Sequence, residues 1–482
     1  MTNPLNYKPI LFLAVIATAL GCAGQSAESN NDSATQSPAD SATDAFADSD
    51  SEDSTKERCD IQLIDAHLSK KIGTVGVVTW STSLTNIRDA SIEFGLDTNY
   101  GLTAPVDLGE VDYRTLLLGM KENRGPYHFR ITVQTQGRVC VSGDFAFDRK
   151  TDARPDDVEL PTVTTFLPDE VAGGFIITTE FRDNLKAPAD YAFIVDGDGD
   201  VVWWYQPKNF GDLTNARMSY DGRYMWLVHG NVPNLEGRLG RVRMDGEAWE
   251  DLRETYPWIH HDLTILPDET LTYLSYNHNE CDDIIEVAPD GTQRVLMNSA
   301  EAMSWPIVCH GNAIQYSPFD DTYVISDNNF FVYFKIDREG NILWVLNGND
   351  LNQFDLDGGG ATGWTANHNF QMLGANHMLF FNNGVDGSPD DQTPASVREI
   401  VLDVTQMTTT EVWQYTSADP IVSRFLGDVQ RLPNGNTIID YSGAAIIHQV
   451  NPDGELIQKL EFPQTAIGYM TWRPTLYGPP PR

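Results

Sequence analysis

The chain has 482 residues, and its hydrophobic content of 41%, with 10% aromatic residues, is enough to build a large buried core. The formal net charge is −37, from 69 acidic and 32 basic residues, so long-range repulsion would oppose the approach of a phosphate backbone. We therefore expect two folded domains with non-globular ends and no nucleic-acid partner. We attribute the acidic surface to solubility.

The first 22 residues have the features of an export signal. A basic residue precedes an apolar run over residues 10–17, and small residues follow it. This run is too short to span a membrane. The ending Leu20-Gly21-Cys22 resembles a bacterial lipobox, which implies a lipoprotein signal peptide over residues 1–22 and lipidation of Cys22; the alternative is a plain cleavable signal. We expect an exported protein that meets a membrane only through a lipid anchor, in the periplasm or on the outer membrane surface.

Residues 23–57 are rich in Ser, Ala, Asp and Glu and lack the apolar content that would offset the entropy of ordering, so we predict an acidic disordered tether. The chain has four cysteines beyond the signal, and in an oxidising compartment these favour structural disulfides over redox chemistry. We expect the pair Cys59–Cys140, which brackets one candidate domain, and the pair Cys281–Cys309 in the other. No spacing typical of metal ligands is present, so we expect neither a metal nor a cofactor.

Residues 58–150 contain runs of alternating or β-branched residues separated by Gly and by Asn or Asp turns, a pattern typical of a small β-sandwich. The order of motifs, from the strand around Trp80 to the Tyr-His-Phe-Arg run that begins at Tyr127, resembles a fibronectin type III module. Such modules usually position a neighbouring domain, so we assign no chemistry to this one.

A different pattern begins near residue 160, where five segments share a strand opener, a turn six residues later and then a second strand. The openers are Thr214, His261, Asn312, His368 and Gly427. They lie about 47 to 59 residues apart, a period that suits four-stranded propeller blades. Asp-Gly turns recur between the apolar runs, as in hairpins. Residues 173–205 supply a divergent sixth unit. The expected fold is therefore all-β, with a six-bladed β-propeller over residues 155–482 after the small β-sandwich.

The first strand of each propeller blade lines the central channel, so equivalent openers converge near the axis. This register gathers His261, Asn312 and His368 around one funnel. Because side chains alternate across a strand, we expect His310 on the face of Asn312, and His260 on the face opposite His261. A single histidine would more often belong to a structural hydrogen-bond network, whereas three in register within one concave site favour a function.

Several motifs then carry a family resemblance. They are His310-Gly311-Asn312, Asn367-His368-Asn369, the Pro-Asn-Gly turn at Pro433, and the closing segment Tyr469-Met470-Thr471-Trp472-Arg473. Over roughly residues 160–480 the chain resembles the bacterial arylsulfate sulfotransferases (arylsulfotransferase, ASST). The resemblance implies transfer of a sulfuryl group from an aryl sulfate to a phenol through a sulfated histidine, without a nucleotide sulfate donor. It implies His368 as the nucleophile, with His261, His310 and Asn312 around the sulfuryl group.

These residue types suit that chemistry. A neutral imidazole is a competent nucleophile near pH 7, and a covalent intermediate divides one difficult transfer into two steps. The transition state is expected to be loose, with charge on the non-bridging oxygens, so fixed donors such as Asn312 matter more than a strong base. A departing phenolate has a pKa of roughly 10, so proton donation from His261 or His310 would lower the barrier.

The most serious departure from the family pattern is that the family arginine falls on Asn328, to within one residue of alignment. Asn367 and Asn369 also stand where Gln and a Thr or Asp are more usual. We expect Asn328 to border the substrate and Arg473, Arg431 or another residue to supply the cation, since losing a charge-assisted donor slows such transfers. The prediction is an arylsulfotransferase-like enzyme. The alternatives are a surface ligand-binding propeller that has lost turnover and a hydrolase that uses water as the acceptor.

Overall fold

The computed structural model describes residues 56–58, 60–181, 190–230, 237–276, 281–303, 309–346, 353–356, 364–385 and 390–480, all within one compact unit that spans Ser54–Arg482. The predicted signal peptide, most of the tether, Cys22 and Cys59 lie outside the described residues. In the described part of the chain, no helix is long and apolar enough to cross a membrane. Strands make up nearly all of the regular structure there, which confirms the all-β prediction.

The first nine strands form two sheets. They are β1 (Lys56–Arg58), β2 (Ile61–Leu68), β3 (Gly76–Thr82), β4 (Ile87–Gly95), β5 (Leu102–Pro105), β6 (Thr115–Leu117), β7 (His128–Thr135), β8 (Val139–Val141) and β9 (Phe145–Ala146). The larger sheet has the order β1-β8-β7-β4-β5 with β9 beside β7, and the smaller has the order β2-β3-β6. Fully buried side chains such as Trp80, Phe94 and Phe129 form one core with them. A sandwich is therefore present where predicted, and its likeness to a fibronectin type III module stays a prediction.

The amino-terminal edge of this sandwich begins earlier than expected. Lys56 and Glu57, which we assigned to the tether, pair in parallel with β8. Cys140 lies in β8, is buried and is disulfide-bonded. Because its expected partner Cys59 lies outside the described residues, that pairing stays a prediction.

The remaining strands follow the sandwich in the chain. They are β10 (Thr162–Thr165), β11 (Phe175–Phe181), β12 (Ala192–Asp196), β13 (Val201–Tyr205), β14 (Asn215–Met218), β15 (Tyr224–His229), β16 (Arg238–Arg243), β17 (Trp249–Asp251), β18 (Ile259–Ile265), β19 (Leu271–Tyr276), β20 (Asp282–Val287), β21 (Gln293–Asn298), β22 (Gly311–Ser317), β23 (Thr322–Asp327), β24 (Val332–Ile336), β25 (Ile342–Leu346), β26 (Asp355–Leu356), β27 (Asn367–Gly374), β28 (His377–Asn382), β29 (Ser396–Asp403), β30 (Thr408–Tyr415), β31 (Asp428–Arg431), β32 (Thr437–Tyr441), β33 (Ile446–Val450), β34 (Leu456–Glu461), β35 (Ala466–Ile467) and β36 (Thr471–Arg473). A single five-residue α-helix in the described residues, α1 (Ser299–Met303), follows β21.

Within the described residues these strands form six sheets. Three sheets contain four consecutive antiparallel strands each: β14 to β17, β18 to β21, and β22 to β25. A fourth contains β27 to β30 with β26 at its edge. In the last two, β10 pairs with β34, and β35 and β36 pair with β11. The two ends of the region are thus interlocked. Six sheets match the expected number of blades, whereas closure into a six-bladed propeller stays a prediction.

The Asp-Gly turns lie where the sequence placed them, between antiparallel strands. They join β12 to β13, β16 to β17, β20 to β21, β24 to β25 (here with the longer sequence Asp-Arg-Glu-Gly), and β33 to β34. Gly340 in the fourth of these turns has a φ of +85°, and a Cβ there would meet the carbonyl of Leu296. Only glycine fits this backbone without strain or collision.

The sandwich packs on the sheet of β11 to β13 and on its neighbour. The Nζ atom of Lys121 lies 3.0, 2.7 and 2.7 Å from carboxylate oxygens of Asp196, Asp198 and Asp200. Tyr477, near the end of the chain, reaches back with its hydroxyl to accept a hydrogen bond from the backbone N–H of Leu118 at 2.6 Å. Charge pairing and the carboxyl-terminal segment therefore fix the sandwich against the larger region.

Candidate active site

The candidate site is built from the starts of three neighbouring strands, β18, β22 and β27, and β22 contacts both of the others. In chain order, β18 and β22 are the first strands of their sheets, and β27 is the second strand of its sheet, after the short edge strand β26. His261 is the third residue of β18, His368 is the second of β27, and His310 directly precedes β22. Sheet order therefore brings together three histidines that are far apart in the sequence.

The backbone at His261 is irregular. Its φ is +52°, and the pairing of β18 with β19 jumps from Ile259 to Leu263. A non-glycine residue in this region costs about 1–3 kcal/mol, and such strain is concentrated at functional sites. The bulge also brings the Nδ1 atoms of His260 and His261 within 2.8 Å. Our expectation that these neighbours are separated by the strand was wrong, because it assumed regular alternation.

The imidazoles form a connected cluster. The Nε2 atoms of His261 and His310 lie 3.3 Å apart, with ring centroids 4.9 Å apart at 65°. His368 is close enough for its charge to lower the pKa of His261, and its ring centroid lies 6.4 Å from that of Tyr469. His261 and His368 are each 6% exposed, and His310 is more open. Two of the three rings are thus almost completely shielded from solvent.

A buried chain of polar groups stands behind His261. The Nε2 atom of His260 lies 3.0 Å from Oδ1 of Asp282, and its ring stacks on Tyr276 at 3.8 Å between centroids and 13° between planes. His260 is fully buried. His260 therefore contacts His261 and the protein interior but not the funnel.

Two buried carboxylates and a disulfide hold the segment that carries His310. Asp327 accepts a hydrogen bond from the backbone N–H of His310 at 2.7 Å. Asp282 accepts one from the backbone N–H of Gly311 at 2.7 Å. The predicted disulfide between Cys281 and Cys309 is present, with Cα atoms 4.6 Å apart, and this confirms that pairing. The disulfide links the residue before Asp282 to the residue before His310, so it holds the segments that carry these two side chains close together.

The hydrogen bonds around His368 define which of its nitrogens carries the proton. The Nδ2 atom of Asn383 donates to the carbonyl oxygens of Ser423 at 2.9 Å and Leu426 at 2.8 Å. Its Oδ1 atom therefore faces Nδ1 of His368, at 2.7 Å. Because an amide oxygen can only accept, Nδ1 of His368 carries the hydrogen, and Nε2 of the neutral ring keeps its lone pair.

Burial keeps the cluster uncharged. Burial lowers the pKa of His368 and of His310 to about 4, and it lowers the pKa of His261 well below the ordinary 6.5 with help from the neighbouring histidines. Burial, reinforced by Asp282, raises the pKa of Asp327 from 3.8 to about 7. At neutral pH the three imidazoles are therefore free bases, the form required of a nucleophile.

The two candidate asparagines lie at the same end of the strands. Asn312 is fully buried, and its Nδ2 atom donates to the carbonyl oxygen of Asn367 at 2.8 Å. Asn328 donates its backbone N–H to the carbonyl oxygen of His310 at 2.8 Å. The Oδ1 atoms of Asn312 and Asn328 are buried without a hydrogen-bond partner in the described structure. Leaving a buried polar atom unpaired is costly, so the two unpaired oxygens beside the histidines call for an explanation.

Arg473 does not supply the missing cation. Its guanidinium donates to the carbonyl oxygens of Thr475 and Gly478, and the charges acting on it are those of Asp221 and Glu269. That expectation was wrong, because the end of β36 directs the side chain into the carboxyl-terminal segment.

Arg431 is also engaged away from the histidines. It pairs with Glu399 and lies over the ring of Trp413. A third guanidinium, that of Arg217, lies 3.0 Å from Oδ1 of Asp262, the residue after His261, but this carboxylate neutralises it. Arg473 and Arg431 are thus committed to other partners, whereas Arg217 is paired with Asp262 and its Nη2 atom makes no hydrogen bond in the described structure.

The described residues contain one cluster of carboxylates with metal-binding spacing, Asp196, Asp198 and Asp200. It lies at the sandwich junction, and the Lys121 ammonium occupies it. The cluster is therefore a structural ion-pair site, away from the histidines.

Sequence reasoning missed the residues that support the histidines. Asp282 follows Cys281 directly, so the disulfide prediction was the available signal for it. Asn383 lies in the sequence Asn382-Asn383-Gly384, and nothing in this sequence reveals its contact with His368. His260 was named only as the neighbour of His261.

Comparison with known proteins gives a family but no close relative. Residues 258–462 match the sequence model of the arylsulfotransferase (ASST) family. No curated protein sequence matches the chain. Similar solved structures include a protein of unknown function from Bacteroides caccae, with 13% identity, coverage of 62% of this chain and 98% of that chain, and a TM-score of 0.41.

Two further similar structures have known names. TolB from Acinetobacter baumannii has 10% identity, coverage of 73% and 80%, and a TM-score of 0.39. Virginiamycin B lyase from Staphylococcus aureus has 13% identity, coverage of 63% and 90%, and a TM-score of 0.39. At these scores the likenesses carry no functional argument. The family match covers the segment that contains His261, His310 and His368, so this segment is similar in sequence to the arylsulfotransferases.

Proposed function

We propose that this protein moves a sulfuryl group from an aryl sulfate to a phenolic acceptor through a sulfated His368. The observation that supports the proposal is the hydrogen bond from Nδ1 of His368 to Oδ1 of Asn383. It leaves Nε2 of a neutral imidazole with its lone pair, beside two further neutral imidazoles. A neutral nucleophile with its proton held on the far side of the ring suits attack on the sulfur of a sulfate ester.

In the first half of the reaction, Nε2 of His368 forms a bond to sulfur while the bond between sulfur and the aryl oxygen breaks. The electron pair of that bond leaves on the aryl oxygen, which departs as a phenolate. The developing positive charge on the His368 ring is balanced by the negative charge of the transferred group. Asn383 keeps the ring oriented throughout because its amide is fixed by two backbone carbonyls.

In the second half, the phenolic acceptor attacks the sulfur of sulfated His368. Its proton passes to a neighbouring imidazole, and Nε2 of His368 regains its lone pair. Because the same face serves both halves, the donor product must leave before the acceptor binds, which gives ping-pong kinetics.

The transfer proceeds here without the arginine of the family pattern. A single preorganised donor to the developing charge is worth about 10²–10³-fold in rate. With Asn328 at that position, we expect slow turnover of ordinary aryl sulfates, or a donor whose own groups complete the bonding of Asn312 and Asn328.

The test uses the purified protein with para-nitrophenyl sulfate, with and without a phenol acceptor. We expect release of para-nitrophenol that depends on the acceptor, a sulfated His368 peptide in mass spectrometry, and loss of both in His368→Ala. The matched control is His377→Ala, because His377 pairs with Glu399 and leaves the site untouched. Release of para-nitrophenol at the same rate when no phenol acceptor is present would identify a hydrolase.

A second candidate function is a surface ligand-binding propeller without turnover. The uncharged Asn328, with its buried and unpaired Oδ1 atom, favours it. Calorimetric binding of an aryl sulfate with no release and no sulfated histidine would support it. Asn328→Arg distinguishes the two functions further, because an added cation raises the rate of an enzyme and leaves a pure binding protein inactive.

We also propose export and lipid attachment at Cys22. The support is the short apolar run with its lipobox-like ending. Metabolic labelling with a fatty acid in a bacterial host, comparing the natural chain with Cys22→Ala, tests it. Equal label in both chains would overturn it.

A further inference from the structure

The buried chain behind His261 is more elaborate than sulfuryl binding requires. His260 and Asp282 are both buried, and neither reaches the funnel. Their contacts run in series: Asp282 Oδ1 to Nε2 of His260 at 3.0 Å, Nδ1 of His260 to Nδ1 of His261 at 2.8 Å, and Nε2 of His261 to Nε2 of His310 at 3.3 Å. Hydrogen bonds in such a series polarise one another.

The carboxylate defines the direction of this series. Asp282 also accepts the backbone N–H of Gly311, so its oxygens act as acceptors. Nε2 of His260 must then carry a hydrogen. The position of one further hydrogen stays open. It lies between Nδ1 of His260 and Nδ1 of His261, and either nitrogen can carry it. His261 thus connects the buried pair on one side with the funnel on the other.

The contacts of the His260 ring differ from those of the neighbouring histidines. Asp282 pairs with one edge, and the face of Tyr276 covers the ring at 3.8 Å. A carboxylate partner and an aromatic face both stabilise an imidazolium. In the described structure no carboxylate is hydrogen-bonded to the ring of His310 or His368, although Asp282 acts on His310 from a greater distance.

We propose that the His260–Asp282 pair holds the proton for sulfuryl transfer and that His261 carries it to and from the phenolic oxygen. This role rests on the proposed function, and it makes His260 and Asp282 positioning and relay residues that never touch the substrate.

In the first half of the reaction, the phenolate oxygen takes the proton from Nε2 of His261. His261 takes the proton of Nδ1 of His260 in the same step, so His260 changes from imidazolium to neutral imidazole and keeps its Nε2 hydrogen on Asp282. One proton and one positive charge leave the buried pair, and the phenolate charge is neutralised.

In the second half, the acceptor phenol gives its proton to Nε2 of His261. His261 returns its Nδ1 proton to His260, which becomes an imidazolium again. The acid of the first half is thereby restored without any exchange with solvent. This suits a site in which both half-reactions take place at the same nitrogen of His368.

The test compares donors with different leaving groups in the full-length protein and in His260→Gln. Para-nitrophenolate is a weak base and needs little protonation, whereas phenolate is a strong one. We expect His260→Gln to lower kcat/KM about tenfold for para-nitrophenyl sulfate and about 1000-fold for phenyl sulfate, within the range of general acid catalysis. A merely structural role would lower both by the same factor.

His448→Gln is the matched control, because His448 is equally buried but lies in β33, outside the series. It should leave the ratio of the two donors unchanged. Equal losses for both donors in His260→Gln would overturn the relay while leaving the transferase intact. Absence of turnover in the natural protein with either donor would instead overturn the proposed function itself.

A second variant covers the case in which His260→Gln does not fold. Asp282→Asn keeps one acceptor oxygen for the backbone N–H of Gly311, removes the charge, and replaces the oxygen facing His260 with an amide donor. It should show the same dependence on the leaving group. In the natural protein, the solvent deuterium isotope effect should be larger for phenyl sulfate than for para-nitrophenyl sulfate, and an equal effect for both would contradict the relay.

Discussion

Two polar clusters in this molecule have opposite designs. At the sandwich junction, the Lys121 ammonium meets Asp196, Asp198 and Asp200 in a partly exposed site, where opposite charges neutralise one another. At the candidate active site, three uncharged imidazoles are buried beside carboxylates, with unpaired amide oxygens. The charges of the first cluster therefore neutralise one another, whereas the second cluster contains polar atoms that have no hydrogen-bond partner in the described structure. Proteins keep such incomplete sites where function requires them.

The largest expected effect comes from removing the disulfide beside the site. The double variant Cys281→Ser, Cys309→Ser releases a link between residues 28 apart, and loss of such a link costs about 2–4 kcal/mol of unfolding free energy. Chemical denaturation measures this loss. Activity should fall as well, because the disulfide fixes the segments of Asp282 and His310. If the double variant kept both its activity and its unfolding free energy, the disulfide would have no role in holding the site.

Asn383→Leu should act mainly on activity. It removes the acceptor for Nδ1–H of His368 and leaves the carbonyl groups of Ser423 and Leu426 without their donor. We expect about a 100-fold loss of kcat with para-nitrophenyl sulfate, since the ring loses its orientation. Unpaired buried carbonyls should also cost about 1–3 kcal/mol. Asn382→Leu, one residue earlier, is the neighbouring control, and a kcat loss there equal to that of Asn383→Leu would contradict the assigned role.

Acid should destabilise the protein through its buried histidines. Burial lowers the pKa of His310, His368 and His448 from 6.5 to about 4. Between these values the unfolded chain binds protons that the folded chain does not, so stability falls as the pH falls from about 6.5 to 4. Asp327, with its pKa raised to about 7, acts in the opposite direction and offsets part of the loss.

Thermal unfolding at several pH values between 7 and 4 measures this dependence. His448→Gln removes one of the three contributions without touching the site, so its unfolding temperature should fall less on acidification. A pH dependence identical to that of the natural protein would show that His448 does not titrate as described. Over the same range His368 stays neutral, so transferase activity should persist down to about pH 5.

The smallest effect is expected at the junction. Lys121→Met removes the central cation of a partly exposed ion-pair cluster, and such pairs contribute about 1 kcal/mol or less. Stability should fall slightly, less so at high salt, and activity should not change. A large loss of activity would show that the sandwich positions the site, and the contrast between the two clusters would then disappear.

Much of the fold was predictable because it depends on local chemistry. Alternating runs and Asp-Gly turns specify hairpins through side-chain periodicity and backbone φ, and neighbouring hairpins form the observed sheets. The disulfide between Cys281 and Cys309 followed from an even set of cysteines within one domain. The coincidence of His261 and His368 at strand openers reflected the same repeat.

The rest depended on tertiary geometry. The bulge with positive φ at His261 breaks the alternation from which we placed His260 on the opposite face. Asp282 reaches His260 across β18, β19 and β20, and the direction of the Arg473 side chain depends on how the last strand ends. Sequence alone therefore determined the strands, the turns and the three histidines. Only the folded structure decided that Asp282, Asn383 and His260 support them. The sequence does not show these contacts, because they depend on how the strands pair and where β18 is bulged.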